Sequence, residues 1–574
     1  MLRKKLIAIL LFSAMTLALL TGCGASGSTQ PAVSGDTSAP AAAASNETAS
    51  AAETTAASLS AANDENLMAA NYDNSVQIDK LTYIQDSDIT SLVPWDVRTL
   101  TPGIAYEIYE MLYGMDAKGN YYPVLADATR GDYMPGMDHE EGTADYTIYI
   151  YDYITDSAGN KITADDVKFS FDMARKGGFE SGWGAFQSEE VIDETTIVLH
   201  CDHELTKMGE LQNIICRTFI FSEKAFNDSP SGLSNDACGT GPYVVEKFVP
   251  STELTVTKRA DYWQTNEELK QQLQQANVGT ITLTILHEGT QQLIGLETGT
   301  IDVAEKFGYD NLLQLQADGF GDKFNTYSSM NNLLVYAYCN CDPTSLCSNV
   351  ALRKAILMAI DNEALAAFVG NGMAPAYALG NNFYADYDPA WEGKYSLYQT
   401  PDADTIAALL KEANYNGETL KLLTATYCGE YAEVIQSLLA QYGINVDLFI
   451  MDGGTCNSMK ADPKEWDIFY QFMGADDYVV NLWSHLLDAD GRSSGMTENF
   501  INDQAFQDLL HTCMTEATHT QENLEAFQQM VDDNAYAKGM CINNSILVYP
   551  DYVQTVFKTD KGYIVPGACC FTES

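Results

Sequence analysis

The sequence predicts an α/β fold whose ligand sits in a crevice between lobes, and three stretches carry that expectation. Leu81–Gln85 reads as a short strand, followed by Ile104, Ile108, Met111 and Leu112 on one helical face. Thr163 and Asp166 form a capping-box pattern ahead of Val167, Phe171 and Ala174, and Gly177 with Gly178 supplies the stop, which places a helix at Thr163–Lys176. Leu420–Leu423 reads as a strand, and Glu430–Tyr442 carries Val434, Ile435, Leu438 and Leu439 at helical spacing. Gly443 ends that helix, and Ile444, Val446 and Leu448 alternate as a second strand, completing a βαβ unit. Such alternation through most of the chain predicts twisted, largely parallel sheets covered on both faces.

The chain of 574 residues opens with Arg3, Lys4 and Lys5 ahead of the apolar run Leu6–Leu20, which is too short to cross a bilayer and has the pattern of an export signal. That run closes in Leu20, Thr21, Gly22 and Cys23, which resembles the bacterial lipobox; residues 1–22 are then the leader and Cys23 the lipid-bearing first residue. The competing reading is an ordinary signal with a chance cysteine. Residues 23–75 are Ala, Ser and Thr with little else, a composition that cannot bury a core and predicts a disordered tether behind a lipid anchor. The expected location is the extracytoplasmic face of the cell membrane.

With 79 acidic against 31 basic side chains the net charge is −48, which excludes nucleic acid, a polyanion, as a partner and reads as a solvated acidic surface. Twelve of the 13 cysteines follow Cys23, with no CxxC pair among them. Cys339 and Cys341 have strand spacing within Tyr336–Asp342 and read as buried free thiols, while the adjacent Cys569 and Cys570 have no account in the sequence. Neither HExxH nor GxxxxGK nor a glycine-rich dinucleotide loop occurs. His200 and His203 flank Cys201 and Asp202, but their spacing does not put both on one face of a strand, so they read as surface histidines. Asp488 and Asp490 precede Gly491, yet Leu486 holds the position of a calcium loop's first carboxylate. No cofactor, metal or catalysis is expected. The 33 tyrosines and 22 phenylalanines suit a cleft that grips variable ligands, although composition cannot separate cleft rings from core rings.

GTGPYVVEKFVPSTELTVTKRADYW, from Gly239 to Trp263, resembles the extracellular solute-binding proteins of family 5, which include oligopeptide- and dipeptide-binding proteins. Four further blocks fall in the family's order: Tyr106–Ala126, Ile154–Arg175, Leu293–Ala304, and Asn349–Leu365 with Gly370–Tyr377. Read physically, Gly239, Gly241 and Pro242 make a tight approach into a strand at Tyr243–Lys247, Asp261 to Trp263 close the return hairpin, and Gly299 to Asp302 form a turn. The resemblance implies a two-lobed periplasmic-binding-protein-like fold (type II) enlarged by an extra domain. It assigns 76–120, 236–325 and 550–574 to lobe 1, 121–235 to the extra domain and 326–549 to lobe 2. It also implies a monomer that closes on a short peptide and delivers it to the permease and ATPase subunits of an ABC importer.

In the family's peptide binders an aspartate followed seven residues later by an aromatic pairs with the ligand's α-amino group; Asp476 and Trp483 match that spacing. The competing reading of Asp476 is a loop carboxylate or N-cap, since Asp477 beside it could fill the role instead. Met473 and Gly474 would then offer main-chain groups to an extended ligand. Trp183 falls where members place a cleft aromatic, with a core tryptophan as the alternative, and Tyr549 is a further candidate. One departure is Val479 and Val480, which stand where the family carries an acidic residue and proline. Oligosaccharides, nickel chelates or a peptide-sensing receptor role are the alternatives that the same fold leaves open.

Overall fold

The computed structural model describes residues 72–572, apart from 86, 97, 98, 101, 117, 118, 178–182, 371, 476, 490–499 and 561. Cys23, the leader, nearly all of the tether and Asp476 therefore lie outside the described residues.

Two long strands organise the molecule. Phe324–Cys339 and Ala537–Pro550 run antiparallel, from Phe324 opposite Pro550 to Tyr338 opposite Ala537, with a register shift between Met330 and Leu334. A strand of 16 residues spans roughly 50 Å at ~3.3 Å per residue, enough to run through two lobes. Beyond Ala537–Pro550 the sheet continues through Val303–Ala304, Ile78–Gln85, Val278–Ile285, Glu253–Lys258 and Tyr243–Val249. Beyond Phe324–Cys339 it continues through Ile468–Met473, Leu420–Ala425 and Val446–Met451.

Side-chain alternation explains why the crossing strands are buried in the second lobe. Leu334, Tyr336 and Tyr338 enter one core, with Trp466, Phe469 and Trp483. Val335, Ala337 and Cys339 enter another, with Leu352, Ile356 and Ile435. Period-two geometry sends neighbours to opposite faces, so a continuous apolar run is what a doubly covered strand requires. The first lobe repeats the arrangement: Leu81 and Tyr83 face a core shared with Ile281, Leu283, Val556 and Ile564, while Ile84 faces the helices Gly289–Thr298 and Tyr309–Ala317. A separate antiparallel sheet, Met137–His139, Asp145–Tyr149, Thr196–Cys201 and Phe186–Asp193, is covered by the helix Ala164–Gly177.

Half of the capping box is present: the Asp166 carboxylate accepts from the Thr163 N–H at 2.8 Å and from its hydroxyl at 3.0 Å, while the Asp166 N–H donates to the Thr163 carbonyl at 3.0 Å. The βαβ unit is present too, as Leu420–Ala425, Ala432–Ala440 and the parallel strand Val446–Met451. The expectation of largely parallel sheets needs correction. Among the described residues parallel pairing is confined to Ile78–Gln85 and to Leu420–Ala425 with their neighbours, and the crossing strands and the Tyr243–Lys258 hairpin are antiparallel. Strands that leave one lobe and return must run in opposite senses. The strand also stops at Cys339, so Cys341 lies in the following turn, half-buried, while Cys339 is buried.

Candidate ligand site

The strand Ile468–Met473 pairs with the first crossing strand from Cys339 to Leu334, and its partners on the other side are Leu422 and Leu423, opposite Ile468 and Phe469. Its end therefore projects Met473 and Gly474 past the paired part of that second edge. The chain then turns sharply. Asp477 has φ of 63°, in the left-handed region that side chains other than glycine rarely occupy, and its carbonyl accepts from Ala385 N–H at 2.9 Å. The helix Val479–Leu487 follows. Its start is met by the buried carboxylate of Asp386, which accepts from Val479 N–H at 2.5 Å, a favourable place for negative charge. Burial pushes the Asp386 carboxyl up to about 6, against the hydrogen bonds from the helix start and against His519, whose Nε2 lies 3.5 Å away. Val479 and Val480, the departure from the family pattern, are fully buried in the second-lobe core and do not line a cleft.

The Asp477 loop meets the other side of the molecule through Arg217. One guanidinium nitrogen, Nη2, donates at 2.5 Å to Asp477 and at 2.5 Å to Asp560. These side chains are 5%, 3% and 7% exposed respectively, which makes this a desolvated cluster rather than a surface pair. Burial pushes the guanidinium down, but the two carboxylates outweigh it and hold it charged. Asp560 follows Val556 and Phe557 of the first-lobe core, whereas Asp477 is flanked by Ala475 and Tyr478 of a second-lobe core. A second contact joins the same two sides by main chain: Met208 N–H donates to Met514 at 2.9 Å, and Glu516 N–H to Thr206 at 2.5 Å.

The structure brings together Met473 and Gly474, at the end of one strand, with Asp477 just beyond. Met473 is buried and Gly474 half-buried. Trp183 and Tyr549 are placed elsewhere. The Trp183 ring sits among Phe171 at 5.3 Å, Phe186 at 5.1 Å and Arg175 at 6.0 Å, against the core of the separate antiparallel sheet. Tyr549, opposite Asn325 on a crossing strand, is buried in the first-lobe core. Trp183 is half-buried against its core and Tyr549 is buried within its own, so packing neighbours surround both rings. Arg217, Asp560 and Asp386 were not singled out by sequence reasoning, because residues 260 and 343 positions apart leave no local signal.

The recognisable segment Gly239–Trp263 is structural throughout. A Cβ on Gly239 would lie 2.0 Å from the carbonyl oxygen of Ile108, so glycine is required by close approach to the helix Pro102–Ile108. Buried Arg259 donates to the carbonyls of Thr240 and Gly241 at 3.2 Å and of Asp156 at 2.9 Å. Tyr262 and Trp263 donate to the buried Glu110 carboxylate at 2.5 and 2.8 Å. His200 and His203 pair with Asp145 and Glu210 near the surface. Among the described residues no cluster of three or more His, Cys, Asp or Glu could hold a metal, and no helix is long and apolar enough to cross a membrane. Gly491, Ser493 and Gly495 have the G-x-S-x-G spacing of a hydrolase nucleophile elbow; that string lies outside the described residues, and the element before it is a helix, not the strand an elbow needs.

Residues 120–491 match the profile of the bacterial extracellular solute-binding proteins, family 5, middle region, and the chain belongs to that family. It is 21% identical over 457 residues to the "Probable D,D-dipeptide-binding periplasmic protein DdpA" of Escherichia coli (strain K12), covering 76% of this chain and 82% of that one. It is 21% identical over 439 residues to the nickel-binding protein NikA of Staphylococcus aureus (strain NCTC 8325 / PS 47), covering 74% and 82%. The solved structure of the periplasmic binding protein DppA from Helicobacter pylori in complex with peptide STSA superposes with a TM-score of 0.61 at 18% identity, over 87% of this chain and 99% of that one. The fold is the two-lobed one that this family uses.

Proposed function

We propose that the protein captures short peptides outside the cytoplasm and hands them to the permease and ATPase subunits of an ABC importer, without transforming them. The reading is supported above all by family membership together with the likeness, over 87% of the chain, to a relative holding a peptide. In this reading Asp476 meets the ligand's α-amino group, and Met473 and Gly474 offer main-chain groups at the end of their strand. Residues 121–235 form the extra domain of lobe 1, residues 326–549 lobe 2, and a lipid on Cys23 holds a monomeric chain to the membrane.

Mass spectrometry of material released on denaturing the purified protein should find short peptides; a glycan or a nickel chelate would overturn the cargo assignment. A charge-assisted bond from Asp476 is worth about 1.5–3 kcal/mol, so Asp476→Ala should weaken peptide affinity roughly ten- to a hundredfold in calorimetry. Equal affinity would remove Asp476 from the site.

A further inference from the structure

Arg217 holds two carboxylates that belong to different bodies. Around it Phe219 and Phe221 pack in the first-lobe core, as do Phe557 and Ile564 on either side of Asp560, while Ile215, Cys216 and Ile220 pack in the core of the separate antiparallel sheet. Asp477 lies between Ala475 and Tyr478, which pack in a second-lobe core. Parting the lobes must therefore break the bond to Asp477 and can keep the bond to Asp560. We infer that Arg217 is an inter-lobe clasp, a built-in ion pair that favours the closed arrangement through Asp477 while Asp560 keeps the guanidinium positioned for reclosure.

The chemistry fits a clasp better than a rivet. Both carboxylates share the single nitrogen Nη2, and the buried Nε has no hydrogen-bond partner among the described residues. A guanidinium optimised for permanence would present its fork in two parallel bonds, as bidentate pairs do. Here the arginine can release one carboxylate and remain neutralised by the other, so opening leaves no unpaired buried cation. The main-chain bonds of Met208 and Glu516 with the opposite side set the geometry of contact, and the Arg217–Asp477 pair adds a charge term that water and salt weaken once the surfaces separate. Gly119, with φ of 82°, lies under the ring of Tyr478, where a Cβ would come within 2.7 Å of its hydroxyl, so the same loop is closely seated at a further point.

This inference concerns closure and not cargo, so it can be tested on protein freed of ligand. Small-angle scattering should be compared for the wild type, Arg217→Gln, Asp477→Asn and the double variant, with circular dichroism confirming that each is folded. Each single substitution should shift the closed-to-open ratio about ten- to a hundredfold toward open, seen as a larger radius of gyration. The double variant should be no more open than either single one, because both remove the same bond. Should Arg217→Gln not fold, Asp477→Asn carries the test alone, since it leaves the Asp560 bond intact. A radius of gyration unchanged by Asp477→Asn, or additive opening in the double variant, would overturn the clasp.

Discussion

Arg259 and Arg217 are both arginines with almost no exposed surface, and their surroundings differ in a way that separates framework from moving part. Arg259 is held mainly by carbonyl oxygens of Gly239 to Gly241 and of Asp156, with the exposed Asp261 as its carboxylate partner. Its contacts stay within one body. Arg217 is held by two carboxylates from opposite sides. Carbonyl oxygens cannot be satisfied elsewhere without unfolding the loop that presents them, whereas a carboxylate that swings away is rehydrated. The most recognisable stretch of sequence thus stabilises one body, and the less recognisable one stands at the junction between two.

The comparison can be broken by substitution. Arg259→Met should lower the free energy of unfolding by about 3–5 kcal/mol, because it orphans several buried carbonyls at once. Urea denaturation measures this, and a loss no greater than that of Arg217→Gln would erase the distinction. Gly239→Ala should cost about 1–3 kcal/mol, since its methyl group collides with the Ile108 carbonyl. It should leave the radius of gyration unchanged, which separates damage to the framework from release of the clasp.

The smallest effect concerns Glu107, on the helix against which Gly241 rests. Burial pushes its carboxyl up to about 8, against the hydrogen bond that Gly567 N–H donates to it at 2.6 Å. The folded chain keeps a proton that the unfolded chain releases above pH of about 4.5, so this contribution is complete below that value and is lost as the pH rises through 8. Glu107→Gln should match the wild type within about 0.5 kcal/mol at pH 5 and exceed it by about 1 kcal/mol or more at pH 9. A wild type whose stability does not fall between these values would contradict a neutral Glu107.

Local patterns were legible in the sequence. Thr163 and Asp166 cap their helix, the 420–451 segment is the βαβ unit its periodicity describes, and Gly299 ends a helix in the left-handed conformation. Strand direction was not legible, because a doubly covered crossing strand and a parallel core strand have the same apolar run; Leu334–Cys339 is the example. Cleft and core aromatics were equally indistinguishable, as Trp183 and Tyr549 show. Arg217, Asp477 and Asp560 meet only after the chain has been folded on itself, and nothing near each of them announces the others.

Scattering before and after saturation with the ligand identified by mass spectrometry tests the central claim, that hinged lobes close on a captured peptide. The radius of gyration should fall on binding and return when the ligand is removed. An unchanged value with the site demonstrably filled would contradict capture by closure.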